Sequence, residues 1–441
     1  MRVSGRRLRR IHTFDQKSEP LDYELIPMTA NLPLLQEDPR GPLKLSRHIP
    51  ELDGIRGAAI GMVVFYHYLV ETAVVQRGSL SWYLLVPARL GWTGVDFFFV
   101  LSGFLIGGIL LDARNARNYF PVFYARRFFR IVPIYVIFLF SLLLLTTLER
   151  AAVLPQWPWI TRDALPWYSY LFLVQNFWMG LTNSLSSPAA TITWSLAVEE
   201  QFYLTFPVLV RFLSGKRLLQ VVLEMIFLTP LVRAGLYLLK PNLSQAWFVL
   251  MPCRADALLF GVLVAIAIRN ASWKDWLERH RKLLLLSIVL LLVVVPLATH
   301  MYYVAYGLET ASLGLTAIAA LYALVLAYVL IFPRSILGWF LRLKALTWLG
   351  SIAYGVYLFH QTILYLTFGL VFSRPPTISS VREFFACVVA FGLTVTLCRL
   401  SWRFIEKPLI DVGHHLSYDA VVFPTRHTAS SITLSTDMPG R

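Results

Sequence analysis

Ionisable side chains interrupt several long apolar stretches of this sequence, at places where a helix could hold them inside a membrane. His67 follows Arg56 by 11 residues in LDGIRGAAIGMVVFYHYLV, a rise of about 16 Å along an α-helix. Glu199 and Glu200 lie in TWSLAVEEQFYLTFP, and His360 lies in SIAYGVYLFHQ. An ionisable residue within a spanning helix costs about 2.5–3.5 kcal/mol on insertion scales. Each of these residues is therefore a candidate functional group.

The depths of these side chains along their helices predict one shared layer. Ser102 lies about 15 Å below Trp92 in GWTGVDFFFVLSGFLIGG, and one of the two adjacent glutamates is expected to face the bundle interior. Two histidines and a carboxylate at one depth suit general-base catalysis, because an unperturbed imidazole titrates near neutral pH. A lone buried histidine could instead form only an interhelical hydrogen bond. No two of these residues have the i,i+4 spacing of a zinc helix, so we expect no metal site.

A second group of candidates is basic. Arg126, Arg127 and Arg130 lie in YARRFFRIVP at the inner end of an apolar segment, with Arg127 and Arg130 on one helix face. Together with Arg56 they could form a cytoplasmic anion site, because guanidinium groups bind phosphates through paired hydrogen bonds. Basic residues also anchor a helix at the cytoplasmic surface, so anchoring is the alternative interpretation.

A third charged group lies in MPCRADALLFG, near the outer start of another apolar segment. Arg254 and Asp256 could pair with each other there. We expect such a pair to have a structural role.

The composition indicates what holds these residues in place. The chain has 441 residues, of which 57% are hydrophobic and 15% are charged, against about 45–50% and about 25% in an average soluble domain. The apolar residues form blocks of about 17–25, long enough to span a bilayer. The net charge of +15 lies between these blocks, where it sets topology, so we expect no nucleic-acid partner. The sequence predicts an all-α polytopic membrane protein.

Charge also predicts the topology. Eleven apolar segments are recognisable: 55–75, 92–111, 128–147, 168–180, 193–213, 217–239, 250–268, 283–298, 309–332, 346–371 and 381–404. The segment 168–180 is short and contains Gln175 and Asn176, which is typical of a re-entrant or interfacial piece. If it does not cross, the inside loops hold 15 basic residues and the outside stretches hold six. We therefore expect ten transmembrane helices with both termini cytoplasmic.

The tails flanking these segments are polar. Residues 1–50 are expected to form a cytoplasmic tail, residues 51–410 the transmembrane domain, and residues 411–441 a disordered cytoplasmic tail.

Several of these blocks, in this order, resemble the acyltransferase-3 family of integral-membrane acyltransferases, over roughly residues 50–410. The family's Arg-ten residues-His pattern falls on Arg56 and His67, and its paired-arginine motif falls on Arg127 and Arg130. Its Trp-Ser-Leu…Glu block covers Trp194, Ser195, Leu196 and Glu199, and FIEKP is the last of the matching motifs. One departure is visible, because Ser351 and Tyr354 are separated by Ile352 and Ala353, whereas the family usually has Ser-Tyr there. That departure affects the role of Ser351 more than that of His360.

The resemblance implies a function. Family members transfer acyl groups, commonly acetyl, from cytoplasmic acyl-CoA, which is a co-substrate, and no other cofactor is implied. Arg127, Arg130 and Arg56 would bind the phosphates. His67 would deprotonate the acceptor hydroxyl or carry the acyl group, and Glu199 would orient His67 or stabilise its charged form. A carbohydrate or glycolipid acceptor would approach from the other side of an inner or plasma membrane.

The remaining candidates form a supporting polar layer around these residues: Asp53, Asp96, Ser102, Trp194, Ser195, Tyr357 and His360. Two other functions fit the residue chemistry alone. The mid-membrane His and Glu residues and the short fourth segment could belong to a proton-coupled transporter. They could also be interhelical hydrogen bonds of a membrane scaffold.

Overall fold

The structure is a computed structural model that describes residues 48–161, 165–298 and 307–419. The described residues are predominantly helical, and their only β-pairing is an isolated bridge between Ala73 and Ile378. The predicted all-α class is therefore confirmed. The predicted N-terminal tail lies almost wholly outside the described residues.

The first half of the chain supplies five long helices, α1, α3, α4, α9 and α10, and a series of short ones. The elements are α1 (Pro50–Phe65, continued by a π-turn at Tyr66–Val70), α2 (Leu80–Leu85), α3 (Gly94–Ala113), α4 (Tyr119–Arg150), α5 (Pro158–Thr161), α6 (Trp167–Leu171), α7 (Gln175–Thr182), α8 (Pro188–Thr191), α9 (Thr193–Phe212) and α10 (Gly215–Leu239). A 3-10 turn at Pro87–Thr93 leads into α3.

The second half continues the bundle. The elements are α11 (Ala246–Val249), α12 (Ala255–Ala267), α13 (Ala271–Arg279), α14 (Arg281–Ala298), α15 (Leu315–Ile331), α16 (Ile336–Leu341), α17 (Lys344–Ser351), α18 (Ala353–Phe372), α19 (Val381–Ser401) and α20 (Lys407–His414). Two further π-turns, Thr310–Gly314 and Trp402–Glu406, precede α15 and α20.

Six described stretches have the length and apolar composition of a membrane span. They are Leu80–Ala113, Tyr119–Arg150, Gly215–Leu239, Thr310–Ile331, Ala353–Phe372 and Val381–His414. The pair α12 and α13, bent by 98°, would make a seventh if it crosses as one unit. The protein is therefore a polytopic helical membrane protein.

The predicted fourth segment consists of two short helices, α6 and α7. The longer one, α7, has eight residues and is about 12 Å long, well short of a bilayer core. Gln175 and Asn176 are buried: Gln175 Nε2 donates to the Thr193 carbonyl at 2.8 Å, and Asn176 exchanges hydrogen bonds with Gln201. These contacts fix α7 against α9.

The bundle centre is assembled through close helix contacts. Gly103 of α3 lies against the backbone of Leu258 in α12, and Gly261 of α12 lies against the backbone of Val100 in α3. A side chain at either glycine would meet backbone atoms, so the two helices can approach this closely only without one. This pairing places α3 between α1, which carries His67, and α12.

The C-terminal end of the described chain is ordered against the bundle. The predicted disordered tail begins at residue 411, but residues 411–414 complete α20, and the next residues contact the loop before α4. Asn118 donates to the Ser417 carbonyl and accepts from the Asp419 amide, both at 2.9 Å. The rest of that predicted tail lies outside the described residues.

Candidate active site

The two histidines singled out in the sequence contact each other. His67 lies in the π-turn that ends α1, and His360 lies in α18. Their Nδ1 and Nε2 atoms, respectively, are 3.1 Å apart, and the ring centroids are 5.1 Å apart. His360 is fully buried, and the His67 side chain is largely buried. π-Turns occur often at functional sites because they re-aim side chains within a helix.

A cavity of about 300 Å³ lies towards the N-terminal end of α1 from this pair, and neither histidine lines it. The arginines predicted as an anion site, Arg56, Arg127 and Arg130, all line it. Its other polar lining includes Ser102, Ser195, Glu199 and Tyr357, which belong to the predicted polar layer and catalytic group. The structure therefore brings four helices, α1, α3, α4 and α9, together with α18 around one space.

The arginines of the cavity differ in how they are partnered. Arg56 forms an ion pair with Asp53, which also accepts a hydrogen bond from His48 at 2.6 Å. Arg127 and Arg130 form no ion pair with any carboxylate in the described residues. The Nε of Arg127 is buried without a hydrogen-bond partner there. An anion in this cavity would satisfy donors that the described chain leaves open.

Glu199 lies in the cavity, but not against His67. Ser102 and Tyr203 lie beside its carboxylate, and they hydrogen-bond to each other. Within the described part of the chain, no hydrogen bond or ion pair joins Glu199 to His67. The side chain that contacts the Nδ1 of His67 is His360, and the His67 ring also has a hydrogen bond to the backbone of Val63. The expected orientation of His67 by Glu199 therefore has no contact to support it here.

Tyr357 links the cavity to the histidine pair. Its hydroxyl lies 2.5 Å from the Ser195 hydroxyl and 3.1 Å from the Ile192 carbonyl, and its ring centroid lies 6.0 Å from that of His360. Ser351, whose role the motif departure affects, also lines the cavity and donates to the Trp348 carbonyl at 2.6 Å. The polar end of the cavity thus lies one aromatic ring away from the histidines.

The possible ion pair between Arg254 and Asp256 does not form. Arg254 donates to Asp96 at 2.7 Å, and Asp256 accepts a two-pronged contact from Arg233 at 2.9 and 3.0 Å. Residues two apart on a helix do not face each other, which is why the local pair does not form. All four side chains are buried.

Two residues predicted for the polar layer, Asp96 and Trp194, pack around one of these ion pairs. Asp96 is held by Arg254, whose guanidinium packs over the rings of Trp194, Phe99 and Phe248 at 5.1–5.6 Å. Neither Asp96 nor Trp194 lines the cavity. The contacts give both residues a place in the packing behind it.

Two residues with notable positions have no role in the sequence interpretation. Arg233 lies within the apolar segment 217–239, and a charged residue inside such a segment is reason enough to single it out as a candidate functional residue. Glu71 follows His67 by four residues, and its Oε2 lies 3.9 Å from the Nε2 of His67. The i,i+4 spacing could have indicated that contact.

Comparison with known proteins decides the family. The sequence model described as an acyltransferase domain, Acyl_transf_3, matches residues 49–400. The chain belongs to this acyltransferase family. Its relatives include the peptidoglycan O-acetyltransferase OatA of Listeria monocytogenes serovar 1/2a, 28% identical over 381 residues, which are 82% of this chain and 56% of the relative. The O-acetyltransferase OatA of Staphylococcus aureus strain NCTC 8325 is 25% identical over 378 residues, 83% of this chain and 58% of the relative.

The chain spans a little more than half the length of the curated relatives it matches. No solved structure matches it. The family assignment confirms the resemblance on which the sequence analysis relied, and with it the class of a membrane acyltransferase.

Proposed function

We propose that the protein transfers an acetyl group from cytoplasmic acetyl-CoA to a hydroxyl group of a glycan. The observation that carries this proposal is the single cavity that Arg56, Arg127 and Arg130 share with Ser195 and Tyr357, next to the His67–His360 pair. Acetyl-CoA has phosphates at one end and a thioester at the other. An arginine cluster and a polar reaction end are the two kinds of surface that such a molecule needs.

The length of the site supports a donor of this kind. Arg56 and His67 lie on α1, 11 residues apart, which corresponds to about 16 Å. The pantetheine arm has roughly that reach. Phosphates held by the arginines would therefore place the thioester near Tyr357 and the histidines.

The chemistry at the histidines follows from this placement. His67 takes the proton of the acceptor hydroxyl while the oxygen attacks the thioester carbon; the carbon–sulfur bond then breaks and the thiolate receives the proton. In a second route, His67 attacks the thioester carbon first and the carbon–sulfur bond breaks to release the thiolate; the acceptor oxygen then displaces the imidazole from the acetyl group, and the acceptor proton passes to the thiolate. Both routes use the same donor and acceptor.

The acceptor class rests on the relatives. Two of them are named O-acetyltransferases, and one is named as acting on peptidoglycan. A polysaccharide or glycolipid hydroxyl suits a base such as His67, and it would reach the site from the side opposite the arginines. The reaction would then cross the membrane without transport of a whole substrate.

The proposed topology has ten crossings with both termini in the cytoplasm of an inner or plasma membrane. The six apolar spans and the bent pair account for seven. Three further helices approach or exceed the minimum spanning length: α1 with its π-turn, α9 and α14. The first two carry the ionisable residues of the site, which lowers their hydropathy.

The test is acetyl-CoA turnover by purified protein in lipid vesicles, with a mixed glycan extract as acceptor. We expect wild type to move radiolabel from acetyl-CoA to glycan, and Arg127→Ala to lose most of this activity. Arg217→Ala is the matched control, because Arg217 is exposed and far from the cavity lining. Equal activity of the two variants would contradict the donor site. Proton-coupled solute flux with no acetyl-CoA turnover would support the transporter instead.

A further inference from the structure

The contacts of His360 fix which of its nitrogens carries the proton. Its Nδ1 lies 2.8 Å from the Tyr357 carbonyl and 3.1 Å from the Val356 carbonyl. A carbonyl oxygen only accepts hydrogen bonds, so Nδ1 is the protonated nitrogen of His360. In the neutral ring, Nε2 is then an acceptor.

The tautomer of His360 determines which nitrogen of His67 carries its proton. The acceptor nitrogen of His360 faces the Nδ1 of His67 at 3.1 Å, so Nδ1 of His67 is the donor in this contact. The remaining nitrogen of His67, Nε2, therefore holds the free lone pair. It is the atom that can remove a proton or attack a thioester.

The Nε2 atom of His67 faces a carboxylate at the end of α1 remote from the arginines. The Oε2 of Glu71 lies 3.9 Å away, and the Glu71 side chain is 52% exposed. That separation is longer than a hydrogen bond, so the carboxylate does not occupy the lone pair. The Glu71 amide donates to the Tyr66 carbonyl at 2.9 Å, which ties the residue to the π-turn.

We propose that Glu71 is a positioning residue on the acceptor side of the site, which acts through the Nε2 of His67. This inference rests on the proposed function. When Nε2 takes the acceptor proton, His67 becomes an imidazolium, and the Glu71 carboxylate then forms an ion pair with it. The proton leaves again to the departing thiolate as the acyl–sulfur bond breaks, so Glu71 itself neither gains nor loses a proton.

The side of approach follows from the same geometry. Glu71 does not line the arginine cavity, and about 22 Å of helix separate it from Arg56. The titratable groups facing this pair in the described residues include His360 and Tyr365 of α18, the latter beside Glu71, and Tyr66, whose ring centroid lies 5.3 Å from that of His67. The donor and acceptor thus meet at His67 from opposite ends of α1.

The kinetic test compares Glu71→Gln and Glu71→Asp with the control Glu224→Gln, which removes an equally exposed carboxylate on α10. With radiolabelled acetyl-CoA and the mixed glycan extract, Glu71→Gln should lower kcat for transfer about 10- to 100-fold, the range expected from a charge partner near 4 Å. Its KM for acetyl-CoA should be unchanged. Glu71→Asp should recover part of the rate. A kcat for Glu71→Gln within twofold of Glu224→Gln would overturn the proposal, as would a loss confined to KM for acetyl-CoA.

A second measurement does not depend on turnover. Nitrogen NMR of histidine-labelled protein in bilayers, with the His67 signal assigned by its loss in His67→Gln, reports the protonation of each ring nitrogen. We expect neutral His67 to carry its proton on Nδ1, and the imidazolium signal to appear only at a lower pH in Glu71→Gln than in wild type and in Glu224→Gln. The opposite tautomer, or an unchanged midpoint of the imidazolium signal, would overturn the inference. Absence of wild-type turnover beside the expected spectra would count against the proposed function alone.

Discussion

The hydroxyl groups of Ser195 and Tyr357 lie 2.5 Å apart, and this contact joins the arginine cavity to the histidine pair. Ser195 is fixed in α9 and Tyr357 in α18, so the hydrogen bond also connects two helices that the sequence separates widely. The Tyr357 ring lies between the cavity and His360. A group held at this contact lies at the reaction end of the donor site.

Removal of the Tyr357 hydroxyl should slow transfer without disturbing donor binding. In Tyr357→Phe we expect kcat to fall about 2- to 10-fold, because one hydrogen bond to a neutral group contributes about 0.5–1.5 kcal/mol. Tyr83→Phe is the control, since Tyr83 is exposed. The measurement is the rate of label transfer at saturating acetyl-CoA. A large rise in KM with kcat unchanged would place Tyr357 at the donor-binding end instead.

The effects of Ser195→Ala and Tyr357→Phe should not add. Each variant removes the same hydrogen bond, so the double variant is expected to be about as slow as the slower single one. Rate constants for all four proteins give the coupling directly. Full additivity would mean that the two hydroxyls act independently.

Arg130 should act on donor affinity. Arg130→Gln removes one of three cationic groups from the cavity, and a charge-assisted hydrogen bond contributes about 1.5–3 kcal/mol, so we expect KM for acetyl-CoA to rise about 10- to 100-fold. The activity with saturating donor should recover most of the wild-type rate. Arg217→Gln is the matched control. If the KM for a dephospho-CoA thioester rises as much in Arg130→Gln as the KM for acetyl-CoA does, Arg130 contacts the phosphates that the two donors share.

The buried ion pairs should contribute to stability and not to the chemistry. Arg233→Met leaves Asp256 buried with only Thr316 and a backbone amide as partners, and breaking such a pair costs about 3–5 kcal/mol. We expect a large drop in the thermal unfolding midpoint in detergent. Arg334→Met, which removes an exposed arginine, should leave the midpoint unchanged. An unchanged midpoint together with lost activity in Arg233→Met would assign Arg233 to the site.

The sequence predicts how far along its helix each residue lies more reliably than it predicts which residues it contacts. A rise of 1.5 Å per residue places His67 and His360 in one layer, and the structure brings them into contact. The rotation of a helix and the identity of its neighbours depend on packing among several helices. The pairs of Arg254 with Asp96 and of Arg233 with Asp256 depend on that packing.

The role expected for Glu199 illustrates the same difference. Depth along α9 predicts that it shares a layer with Ser102, and both residues line the cavity. Its contact with His67 could not be deduced from depth, and the structure gives that contact to His360. The contact between Glu71 and His67 could have been predicted from the sequence, because Glu71 follows His67 by one helical turn.

The central claim is that His67 mediates acetyl transfer from acetyl-CoA. Its most direct test follows radiolabel from acetyl-CoA in vesicles that contain wild type or His67→Ala, with equal folding checked by thermal unfolding. The account predicts label on glycan with wild type and at least a hundredfold less with His67→Ala. Label trapped on wild-type protein and absent from the variant would select the covalent route. Equal transfer by the two folded proteins would contradict the account.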